Sequence, residues 1–85
     1  MAEHKEYSID VPHFYCLEYR EGDKKMFVEV DFRERFFDLS LKLITHWEKP
    51  YDNIEIGIDE KKRILLNIRD WLLTERSWPV YMEEF

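Results

Sequence analysis

Two alternating apolar stretches joined by a glycine-bearing turn constrain this chain more than any other feature. Tyr15, Leu17 and Tyr19 alternate with more polar neighbours, and Met26, Val28, Val30 and Phe32 do the same. Between them lies Glu21-Gly22-Asp23-Lys24. Glycine at the first central position supplies the positive φ that a two-residue primed turn requires. With Gly22 and Asp23 as the loop, Glu21 opposes Lys24, Tyr19 opposes Met26, Leu17 opposes Val28 and Tyr15 opposes Val30. These apolar residues then share one face, as cross-strand geometry demands.

The second strong pattern is helical. Ile64, Leu65, Ile68, Trp71 and Leu72 recur at i, i+1, i+4, i+7 and i+8, with Glu75 the only break in the stripe. Arg63, Asn67, Asp70 and Thr74 fall on the other side. Asp59 suits the N-cap, Arg76 in the last turn suits the macrodipole, and the helix ends before Pro79.

Between these elements the periodicity is divided. Phe37, Leu39, Leu41 and Leu43 fit a strand, whereas Phe36, Leu39, Leu43 and Trp47 fit a helix. A third strand over 36–43 continues the meander, followed by a helical turn at Ile44 to Glu48 that Pro50 ends. Residues 49–58 read as a loop carrying Ile54, Ile56 and Ile58, and Trp78 to Glu83 as a last strand. The expected order is β-β-β-α-β: an α+β fold in which one long helix packs on one face of a small, mainly antiparallel sheet. Its core is Tyr15, Leu17, Tyr19, Met26, Val28, Val30, Leu39, Leu41, Leu43, Ile64, Leu65, Ile68, Trp71, Leu72 and one face of the tail. Residues 1–12 form an N-terminal arm ending at Pro12, and 13–85 a single domain. Tyr7, Ile9 and Val11 alternate, so the arm can also lie down as an extra strand.

A domain of 85 residues buries only a little over half of the surface its unfolded chain exposes, and such domains often add a staple or a partner. An intrachain disulfide is excluded, because Cys16 is the only cysteine. A lone thiol suits a reducing cytoplasmic setting. The composition, 45% hydrophobic and 16% aromatic, is too apolar for a disordered chain. No apolar run is long enough to span a membrane, and no signal peptide is visible. The net charge of −6 and the lack of a basic patch argue against nucleic acid as a partner.

Catalytic patterns are missing. The two glycines, Gly22 and Gly57, make no phosphate loop. Cys16 has no adjacent activating base, His13 reads as a strand-start residue, and His4, His13 and His46 show no metal-ligand spacing. The expectation is a non-enzymatic chain without cofactor or metal; a carboxylate-using enzyme is the remote alternative.

The face of the hairpin that the helix leaves uncovered carries Phe14, Cys16, Glu18, Phe27, Glu29 and Asp31, joined on the third strand by Asp38, Ser40 and Lys42. Three readings stand: an ordinary solvated face, a self-association surface making a homodimer through Phe14, Cys16 and Phe27, or a surface for a foreign protein whose basic groove meets the acidic part. Trp47, in His46-Trp47-Glu48-Lys49-Pro50, is a further candidate contact, although a tryptophan beside a proline turn also serves to cap a core.

These segments carry a family resemblance. Tyr19-Arg20-Glu21-Gly22 with Met26-Phe27-Val28-Glu29, then Ile44, Trp47 and Pro50, then Glu60 with Arg63-Ile64-Leu65 and Asn67-Ile68, resemble a group of small bacterial proteins. The group includes immunity proteins of polymorphic toxin systems, and many of its members have no known role. The resemblance spans roughly residues 15–83. The chain departs from the pattern in its tail, where Ser77-Trp78-Pro79 replaces the usual glycine-bearing turn. The resemblance implies a non-enzymatic bacterial protein that binds another protein, one that neutralises a toxin, and it brings no catalytic residues; the acidic charge makes a basic toxin the expected partner.

Overall fold

A computed structural model describes residues 7–31, 37–75, 77 and 80–82. Its first three strands, β1 (Tyr7–His13), β2 (Cys16–Glu21) and β3 (Lys24–Glu29), form an antiparallel sheet in that order. The β2–β3 register is the one the hairpin residues dictate: Glu21 faces Lys24, Tyr19 faces Met26 and Leu17 faces Val28. Gly22 takes the turn at φ 58°. The Val30 N–H donates to the Tyr15 carbonyl at 3.2 Å, so the same register runs on past the strand ends. Tyr15 is nevertheless 43% exposed and is not a core residue, because it sits in the β1–β2 turn rather than in β2.

The alternation of Tyr7, Ile9 and Val11 takes the form of β1, paired to β2 with Ile9 opposite Tyr19 and Asp10 opposite Glu18. Ile9 joins the core, and the Tyr7 ring stacks on that of Tyr19 at 5.6 Å. Residues 1–6 of the expected arm lie outside the described residues.

The segment with divided periodicity is neither a long strand nor a helix. Phe37–Leu39 forms a short strand, β4, and Leu41–Leu43 a single 3-10 turn. Ser40 ends the strand: its Oγ accepts a hydrogen bond from the Lys42 N–H at 3.2 Å, offering the backbone a cap in place of a ladder. Nor does β4 continue the meander. It pairs in parallel with β5 (Val80–Met82), Phe37 facing Val80 and Leu39 facing Met82. Parallel neighbours need a long crossover, and the helix α1 (Ile58–Glu75) supplies it. Residues 32–36, 76, 78, 79 and 83–85, which include Arg76 and both ends of the expected last strand, lie outside the described residues.

The helix starts one residue before the expected cap. Ile58 is its first residue, and the Gly57 carbonyl accepts the Lys61 N–H at 2.9 Å. Asp59 therefore lies in the first turn with Glu60, where negative charge suits the positive end of the helix dipole. At the other end the Ser77 N–H donates to the Leu72 carbonyl at 3.2 Å, and Ser77 has φ 59°.

Ile64, Leu65, Ile68 and Leu72 of the helix meet Leu17, Tyr19, Met26 and Val28 of the sheet in one core. Phe37 and Leu39 of β4, with Ile44, Trp47 and Ile56 from the connecting segments, complete it. Leu41, Leu43 and Trp71, expected inside, are partly buried against its rim.

Candidate functional site

With Leu17, Tyr19, Met26 and Val28 turned to the helix, strand alternation turns the intervening residues outward. Across the three strands the outward residues form rows set by the register. Ser8, Arg20 and Lys25 make one row, Asp10, Glu18 and Phe27 the next, and Cys16 and Glu29 the third. Phe27 is 40% exposed. Glu18 pairs with Arg20 along its own strand, and the Lys25 ammonium lies 5.7 Å from the centre of the Phe27 ring.

The sequence therefore places Cys16, Glu18, Phe27 and Glu29 on one outer face, as the structure does. Phe14 is shifted: it sits in the β1–β2 turn, 65% exposed, with its ring edge-on to His13 at 5.7 Å. Asp31 follows β3 and is half-buried.

Trp47 does not belong to this surface. It is fully buried, its ring stacks on Tyr19 at 6.4 Å, and the Lys24 ammonium sits 5.1 Å from its centre. The neighbouring Glu48 N–H donates to the Lys25 carbonyl at 2.8 Å, which straps the segment along β3 and carries the indole into the core. Among the described residues the indole Nε1 has no hydrogen-bond partner.

Beside Phe27 this segment forms an open cleft of about 450 Å³, lined by Lys25, Phe27, His46, Glu48, Lys49 and Asp52. His46 Nε2 and Glu48 Oε2 are 3.7 Å apart across it. Nothing in the sequence pattern announces the cleft, since it arises where a loop meets the edge of the hairpin.

A second feature missed by sequence reasoning joins sheet to helix. The Tyr19 hydroxyl donates to Glu21 and accepts from Asn67 Nδ2 at 2.9 Å, while Arg63 holds Glu21 by both terminal nitrogens. Burial, and next the hydrogen bond to Glu21, push the Tyr19 hydroxyl well above its ordinary pKa. Burial of Glu21 opposes its charge, but hydrogen bonds from Arg63 and Tyr19 outweigh this and hold the carboxyl below the usual range. Arg63 and Asn67 thus work at the sheet rather than on a purely solvated face. The sequence signal was present as i, i+2 on the hairpin's core face and i, i+4 beside the apolar stripe.

His13 and Cys16 face each other across β1 and β2. The Tyr15 N–H donates to His13 Nδ1 at 3.3 Å, and the Cys16 thiol is pushed up by burial and then by the charges of Glu18 and Glu29. A raised thiol pKa disfavours the thiolate that nucleophilic chemistry needs. Among the described residues no group of three or more His, Cys, Asp or Glu side chains could hold a metal ion. Among them also, no helix is long and apolar enough to cross a membrane.

The fold and this surface define a small α+β domain with one face of its main sheet open and set with aromatic and acidic side chains. Residues 17–83 match the family described as Immunity protein 74, and the chain belongs to that family. No curated protein and no solved structure matches it.

Proposed function

We propose that this chain is an immunity protein that binds a cognate protein toxin and blocks it by steric and electrostatic means, without chemistry of its own. The observation that carries the proposal is membership of the Immunity protein 74 family over most of the chain. The surface that fits the task is the open sheet face with its adjoining turn: Phe14, Cys16, Glu18, Phe27, Glu29 and Asp31. Aromatic residues, phenylalanine among them, are enriched at protein interfaces relative to the rest of the surface. The acidic residues around them suit a basic toxin, and the free thiol suits action in the cytoplasm.

The test is inspection of the neighbouring genes for a toxin, co-expression of that toxin with this chain and co-purification; no toxin among them counts against the proposal. Restored growth and a stable complex are the expected results. Unrelieved toxicity, with no complex formed by the purified proteins, overturns the proposal.

A further inference from the structure

We draw no further inference here: the strongest candidate, the open cleft beside Phe27 at the edge of the hairpin, sets the ammoniums of Lys25 and Lys49 against the carboxylates of Glu48 and Asp52, so that its charges offset one another and nothing in the structure shows what covers it.

Discussion

Arg63, in the second turn of α1, holds the Glu21 carboxylate at the end of β2 with both terminal guanidinium nitrogens, Nη2 lying 3.0 Å from Oε1. These residues are 42 positions apart, so the pair ties the helix to the hairpin at one fixed height. Arg63 is about half exposed, which limits the energy of the pair. A double-mutant cycle with Glu21→Gln and Arg63→Met is expected to give a coupling of about 1 kcal/mol by urea unfolding.

The same pair sets the acid limb of stability. Because Glu21 is held below the ordinary carboxylate range when folded, its contribution is present above that range. It is lost as pH falls through the depressed folded value. Glu21→Gln is therefore expected to lower stability at neutral pH and to flatten the loss below pH about 4. Denaturant midpoints across the acid range check this.

Tyr19 governs the alkaline side with the opposite sign. Its folded pKa is raised, by burial first and then by its bond to Glu21. Its contribution is present in full below the ordinary tyrosine value of about 10 and is lost as pH rises above it. Tyr19→Phe is expected to remove much of the stability loss between pH about 10 and 12, read by denaturant midpoints across that range.

Much of this architecture was legible. The hairpin declared its register, because a turn signal and two alternations agreed on it, and the helix declared its inner face through Ile64, Leu65, Ile68 and Leu72. The third strand was misread because Leu39, Leu41 and Leu43 satisfy strand period while Ser40 caps a 3-10 turn in their midst. The β4–β5 pairing joins segments on either side of the helix, and no local pattern specifies such a partner. Of the candidate site, Cys16, Glu18, Phe27 and Glu29 followed from alternation alone. Trp47 did not, since its burial depends on a strap between Glu48 and Lys25 that sequence spacing leaves open.

Trp47 is expected to dominate the stability of the core. It is fully buried between Tyr19 and the Lys24 ammonium. Trp47→Ala is expected to cost about 3–5 kcal/mol, most of what a domain of this size has in hand. Trp47→Phe keeps a ring against Tyr19 and sacrifices no hydrogen bond among the described residues, so its cost is smaller. Urea unfolding of both variants checks the order.

Ser77 occupies the left-handed region at φ 59°, where glycine carries no steric penalty. Ser77→Gly is expected to stabilise the chain by about 0.5–1 kcal/mol, the left-handed penalty of a Cβ residue less glycine's entropic cost, seen as a higher urea midpoint with unchanged slope.

The most direct measurement of the central claim is growth of cells that produce a toxin found among the neighbouring genes together with wild-type, Phe27→Asp or Leu73→Asp chain. Both positions are exposed, at 40% and 47%; Leu73→Asp is expected to fold within about 0.5 kcal/mol of wild type and Phe27→Asp, whose new carboxylate faces Glu18, within about 1 kcal/mol, both checked by urea unfolding. Phe27 lies on the open sheet face and Leu73 on the helix. Growth restored by wild type and Leu73→Asp but not by Phe27→Asp is the predicted result. Full protection by Phe27→Asp would contradict the account.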